Sequence, residues 1–380
     1  MKNTLLLLCV FTIFFLSCKS TTGLKYYTGL QVFKDFDSSR TFDTTSPKSP
    51  MYYTPVKIDL FYPSGEKPAK APLIFGDIMD MYEQRMNYFN SMDSCRKVSA
   101  QLAAMFADYL HVDSASKLLN IKTEIYNGLK FPSQKLPLII YASSMNGSSW
   151  ENLFLYDSLV HHGYVVAVIS SVGKFPGYMS GAEDLEEQVD DILYAIKKMK
   201  TFDFVDSDKI GLLSWSLGGT AIVKTAMLSK DVKCLLSYDG TEIHYFGFDT
   251  AWDTQYKEIM KIPPYTPGSI TVPYMYLSSE HPKRIDSVYV FSNFISSKEK
   301  YFLKFTNAIH ENFSALPVLA KTVDPKLNNI DSGRSDIITK LTVTFFDQYL
   351  KQIDTTSTKK VIDELVATKS NFVSTEYLRK

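Results

Sequence analysis

KIGLLSWSLGGTAIV, residues 209–223, joins a run of apolar residues to a helical pattern through a sharp turn at Ser216. Residues 209–213 have the short, turn-bounded, apolar character of a buried parallel strand, and Ala221, Ile222, Val223, Ala226 and Met227 give the next segment the character of a helix packed on a sheet. A strand-to-helix turn this tight forces one residue into strained backbone angles, so its neighbours two positions away must be small. Here they are Ser214 and Gly218, with Gly219 behind them. Such a turn holds the Ser216 hydroxyl clear of the sheet and aims the Leu217 amide at any oxyanion formed there. The pattern is that of a nucleophile elbow, GxSxG with Ser in place of the first Gly. An ordinary glycine-rich turn is the competing reading, and the rest of the chain has to decide.

Working outward, strands and helices alternate. LPLIIYA (136–142) and YVVAVIS (164–170) are continuous apolar strands, with a helix over 150–162 between them that Gly163 ends. A helix over 184–200 turns Val189, Ile192, Leu193, Ile196 and Met199 inward. Beyond the elbow come KCLLSY (233–238), VPYMYLS (272–278), YFLKF (301–305) and a closing helix at FFDQYLK (345–351). This alternation predicts a mostly parallel, doubly wound α/β sheet covered on both faces. Ligands bind such sheets at the carboxyl ends of their strands, where Ser216 lies.

Upstream, residues 28–42 and 52–62 read as an antiparallel pair joined by DTTSPKSP, the second alternating at Val56, Ile58 and Leu60. Residues 76–135 form a helical insertion. Leu102, Met105, Phe106 and Tyr109 make an amphipathic stripe, and a second helical stretch covers 114–121. Its Met79, Met81, Tyr82, Met86, Tyr88, Phe89 and Met92 either cap a pocket or belong to the core. The tail, 351–380, carries an amphipathic segment (Val361, Leu365, Val366) expected to dock as a surface helix.

The 380 residues fit one large domain or two smaller ones, and a net charge of zero gives no electrostatic case for nucleic acid. The N-terminus reads as an export signal: Lys2, an apolar stretch over 5–16 too short to span a bilayer, then small or polar residues. Its end, FFLSCKS, is similar to a bacterial lipobox, which implies removal of residues 1–18 up to a lipidated Cys18, a Ser/Thr-rich tether over 19–27 and onward transport to an outer membrane. Of the remaining cysteines, Cys95 and Cys234 are expected to be buried free thiols, and no His/Cys cluster has metal-ligand spacing.

A serine nucleophile needs a base, and the base needs a carboxylate to fix its tautomer. Among six histidines, His161 and His162 end a helix, His111 lies in the insertion, His244 in a loop and His281 after a strand. His310, in FTNAIHENF, follows the last strand, where a doubly wound hydrolase sheet delivers its base. Two acids compete for the third role: Asp239, ending the strand after the elbow helix, and Glu280, ending the next.

Asp37, Ser39 and Arg40, then LPLIIYASSMNG, HHGYVVAV, SWSLGG, LLSYDG and HENF, occur in the order of corresponding motifs in the platelet-activating-factor acetylhydrolase branch of the α/β-hydrolase superfamily, near the dienelactone hydrolases. The chain resembles that branch over about residues 28–350. The resemblance implies an α/β-hydrolase fold and a Ser216–His310–Asp239 triad, and it favours Asp239 over Glu280. The branch's H-G-L-G loop is here Ser143, Ser144, Met145 and Asn146, which makes the Met145 amide the second oxyanion donor beside Leu217 while removing its glycines. Loss of such a donor costs about 3 kcal/mol. The implied activity is hydrolysis of a small-molecule carboxylic ester with a short acyl group, without metal or cofactor. A non-catalytic surface lipoprotein that uses a retired hydrolase fold to bind a ligand or partner is the alternative, motivated by the altered loop.

Overall fold

Apolar runs without alternation demand cover on both faces, and the central strands sit in that way. β4 (Leu136–Ala142) turns Ile139 and Tyr141 into one core and Leu138, Ile140 and Ala142 into the other. β5 (Val165–Ile169) and β6 (Val205–Trp215) divide likewise. Helices α4 (Leu153–His161), α8 (Leu316–Val323) and α9 (Gly333–Phe346) close the first face. The second is closed by α5 (Ala182–Met199), α6 (Gly218–Leu228) and α7 (Thr250–Lys261). The computed structural model describes residues 26–42, 46–49, 52–86, 88, 97–173, 179, 182–247, 249–280, 291–327, 333–353, 357–368 and 373–375. The expected export signal with Cys18, and Phe89, Met92, Cys95 and His281, lie outside them.

The sheet is completed by β1 (Tyr27–Thr41), β2 (Tyr53–Ser64), β3 (Ile125–Asn127), β7 (Val232–Tyr238), β8 (Tyr274–Ser278), β9 (Lys300–Phe305) and β10 (Val373–Thr375). Its order is β10-β9-β8-β7-β6-β4-β5-β2-β1-β3. The run from β5 to β9 is parallel, while β1 and β2 form the antiparallel pair expected from their sequence. The chain leaves β4 outward to β5, then crosses back to β6 on the other side of β4. That reversal opens a crevice at the carboxyl ends of β4 and β6. Ala142 lies opposite Ser214, and Trp215 opposite Tyr238, so β4, β6 and β7 end level and deliver residues 143–147, Ser216 and Asp239 side by side.

Two elements differ from the sequence reading. In the insertion, formed by α1 (Phe75–Met86), α2 (Lys97–Tyr109) and α3 (Ala115–Leu119), α2 buries Ala103, Phe106 and Ala107 and leaves Met105 58% and Tyr109 42% exposed. The small Ala103 and Ala107 face inward with Phe106, whose ring meets Trp150 at 4.6 Å, so the helix is rotated away from the Met105 and Tyr109 side of the expected stripe. The tail does more than lie on the surface. α10 (Thr358–Ala367) buries Val361 and Ile362, and β10 adds an antiparallel strand to β9. Among the described residues no helix is long and apolar enough to cross a membrane.

Candidate active site

The turn at Ser216 is held in a conformation that L-residues avoid. Ser216 has φ 58°, in the left-handed region, at a typical cost of about 1–3 kcal/mol. Backbone bonds hold it there: Ser216 N donates to Tyr238 O at 3.0 Å, and Ser216 O accepts from the amides of Gly219 and Thr241 at 3.0 Å each. The glycines supply room for this. A Cβ at Gly218 would lie 2.2 Å from the Ala142 carbonyl oxygen, and one at Gly219 1.9 Å from a Glu242 carboxylate oxygen. Ser214, the replacement for the usual first glycine, is fully buried and bonds Ser237 Oγ at 3.3 Å.

Asp239 leaves the end of β7 with φ 45°, its amide bound to Leu277 O at 2.7 Å. His310 Nδ1 lies 2.7 Å from Asp239 Oδ2, and Ser279 donates its amide to Oδ1 (2.8 Å) and its hydroxyl to Oδ2 (2.7 Å). Burial alone would raise the Asp239 carboxyl. The bond and charge of His310, with the two bonds from Ser279, hold it below the usual carboxylate range. Burial disfavours a charged His310, but the Asp239 bond and charge outweigh that and raise its pKa above the ordinary value. Glu280, the competing acid, is engaged elsewhere: it accepts the Asn307 amide at 2.6 Å and braces the turn after β9.

Residues missed in the sequence stand behind these. The Trp215 ring stacks on His310 at 4.9 Å and 29°, and Trp215 Nε1 donates to His310 O at 3.2 Å. In the loop after β4, Asn146 takes φ 61°, a left-handed conformation that Asn tolerates better than most residues. Its side chain is clamped, Oδ1 accepting from Arg85 Nη2 (2.9 Å) and from Met179 N (2.6 Å). Gln188 Nε2 holds Ser143 O at 2.7 Å. These clamps come from α1, from Met179 and from α5, far away in sequence, and no local signal announces them. Trp215 lies inside the elbow motif, but its spacing says nothing of where its ring goes.

Ser216, Leu217, Met145, Asp239 and His310 line one cavity of about 340 Å³, walled further by Met179, Ile243, Trp252, Tyr256 and Tyr276. None of the described residues lining it is Lys or Arg. No described residue of the insertion lines it either; Met79, Met81, Tyr82 and Tyr88 are buried in the core. Among the described residues no cluster of His, Cys, Asp or Glu could hold a metal ion, and Cys234 is a buried free thiol.

This sheet order and crossover, with a serine at the end of β6, define the α/β-hydrolase fold. The structure is similar over 95% of this chain and 98% of the other to a ferulic acid esterase from Streptomyces cinnamoneus, with a TM-score of 0.61 and 15% sequence identity. By sequence, 141 residues, 33% of the chain, are 27% identical to dipeptidyl peptidase 8 of Homo sapiens, and the same length is 27% identical to its Mus musculus counterpart. The match spans only 15% and 16% of those two proteins. No protein-family model matches the chain.

Proposed function

We propose that the protein is a serine hydrolase of neutral carboxylic esters, working through Ser216, His310 and Asp239. The observation that carries this is the strained Ser216 sharing a cavity with a histidine whose Nδ1 is bonded to a buried carboxylate. With Nδ1 engaged, Nε2 is the nitrogen left to take the Ser216 proton as the oxygen attacks the ester carbonyl. The Leu217 and Met145 amides hold the oxyanion, and His310 returns the proton to the departing alcohol. Water then repeats the sequence on the acyl-enzyme, releasing the acid and restoring the serine.

A cavity of about 340 Å³ sits near the small end of the range for ligand sites, about 300–1,000 Å³, and its walls carry no cation among the described residues. Both features favour a compact, uncharged acyl group, in line with the resemblance to the acetylhydrolase branch. We place the enzyme on a membrane through a lipid on Cys18, in the outer membrane of a bacterial cell. The purified soluble form should react with a fluorophosphonate probe and hydrolyse p-nitrophenyl acetate and butyrate with a kcat/KM roughly tenfold or more above that for octanoate. A protein inert to the ester panel and unlabelled by the probe would favour the non-catalytic alternative.

Trp215 offers a second measurement. Its ring supports an imidazolium electrostatically and its indole N–H fixes the His310 backbone, contributions of about 1–2 kcal/mol together. Trp215→Leu should therefore lower kcat about 5- to 30-fold with KM little changed. The acid limb of the pH profile should move to lower pH, because a less supported imidazolium loses its proton more readily. An unchanged limb and kcat would leave Trp215 a packing residue only.

A further inference from the structure

Glu151, in the 3-10 turn Ser149–Asn152 that leads into α4, is fully buried beside the loop after β4. Its carboxylate accepts the Ser144 amide (3.1 and 3.2 Å to its two oxygens), the Ser144 hydroxyl and the Tyr141 hydroxyl (3.1 Å). Gly147 makes room for it: a Cβ there would lie 1.8 Å from Glu151 Oε1. The backbone of the same residue reaches the other side of the site. Glu151 O accepts from Ala315 N at 2.5 Å, and its neighbour Asn152 donates from Nδ2 to Phe313 O at 3.1 Å. Phe313 ends the short turn that His310 begins.

We propose that Glu151 is a positioning residue that sets the second oxyanion donor, the Met145 amide, in place relative to His310. The proposal rests on the reading of Ser216 as nucleophile. Its geometry follows from peptide planarity. The Ser144 carbonyl and the Met145 N–H belong to one trans peptide unit and point in opposite directions. Ser144 O is anchored to Gly147 N at 3.0 Å, and Glu151 pins the Ser144 amide and hydroxyl from the other side, so the direction of the Met145 N–H is fixed. A hydrogen-bonding group that serves only the transition state changes kcat rather than KM.

The groups facing Glu151 are Arg85 from α1, Tyr141 from β4, Tyr156 from α4 and His310. Burial pushes its carboxyl up to about 7, against the Ser144 and Tyr141 hydrogen bonds and the Arg85 charge. When ionised, Glu151 supports the His310 imidazolium from across the site. Removing its charge therefore moves the acid limb of activity to lower pH.

Glu151→Gln keeps the side-chain size but leaves one acceptor oxygen where the Ser144 amide meets two and the Tyr141 hydroxyl also donates. Run beside the wild type and Ser216→Ala on p-nitrophenyl acetate, it should lower kcat about 10- to 100-fold, keep KM within about threefold and shift the acid limb downward. Full kcat with an unmoved limb, or a loss confined to KM, would overturn the proposal while leaving the serine mechanism in place. A wild type that neither turns over esters nor takes the fluorophosphonate overturns both. If Glu151→Gln does not melt cooperatively, Gly147→Ala decides the question: it displaces the same carboxylate from the opposite side and should show the same kcat loss at constant KM. Full activity in that variant overturns the proposal.

Discussion

Ser216→Ala is expected to lower kcat/KM toward esters by about 10⁴- to 10⁶-fold and to abolish fluorophosphonate labelling. The substitution removes one oxygen from a turn that the backbone builds. The bonds from Ser216 N to Tyr238 O, and from the amides of Gly219 and Thr241 to Ser216 O, do not involve the side chain. The elbow therefore persists in the variant, and thermal melting should be little changed. The residual activity comes from substrate binding and the oxyanion donors, which act without a nucleophile. Labelling that survives the substitution would place the reactive group elsewhere.

Asp239→Asn is expected to lower kcat about 10³- to 10⁴-fold. Three donors converge on the carboxylate: the Ser279 amide on Oδ1, and the Ser279 hydroxyl and His310 Nδ1 on Oδ2. An asparagine has one acceptor oxygen to offer them. If its amide nitrogen takes the Oδ1 place, two donors face each other. If it takes the Oδ2 place, His310 must accept at Nδ1 and carry its proton on Nε2, where it cannot receive the serine proton. Activity in the wild type needs a neutral His310, so it falls as pH drops through a value above the ordinary imidazole range. In Asp239→Asn that support is gone, and the remaining activity should lose its acid limb at lower pH. Glu280→Gln, by contrast, should stay within about twofold of wild type, because its partners are the Asn307 amide and the Lys304 ammonium rather than His310. Steady-state kinetics across pH on the three proteins would separate these outcomes.

The central sheet was legible because burial on both faces leaves a mark in the chain itself, seen in LPLIIYA, YVVAVIS and KIGLLSW. So was the elbow, since the Ala142 backbone at Gly218 and the Glu242 carboxylate at Gly219 leave no room for a Cβ. His310 and Asp239 were singled out by strand ends and motif order, the motif order favouring Asp239 over Glu280, and Asp239 Oδ2 stands 2.7 Å from His310 Nδ1. What the sequence hid depends on side chains that meet across long separations. Arg85 reaches Asn146, Gln188 reaches Ser143, and Trp215 folds back on His310. The stripe on α2 misled for a simpler reason. The stripe held at Phe106 but not at Met105 and Tyr109, because the helix buries Ala103 and Ala107 beside that ring.

The two outermost strands, β3 and β10, are three residues long, while the strands they flank, β1 and β9, have fifteen and six. An open sheet ends in unpaired amides and carbonyls that can recruit another chain, and at the β9 border the short β10 covers three of the six residues. The last described strand of the polypeptide thus pairs away part of one sheet border. By covering Leu303 to Phe305, it leaves the end of the strand that leads to His310 with fewer open backbone groups for another chain to pair with.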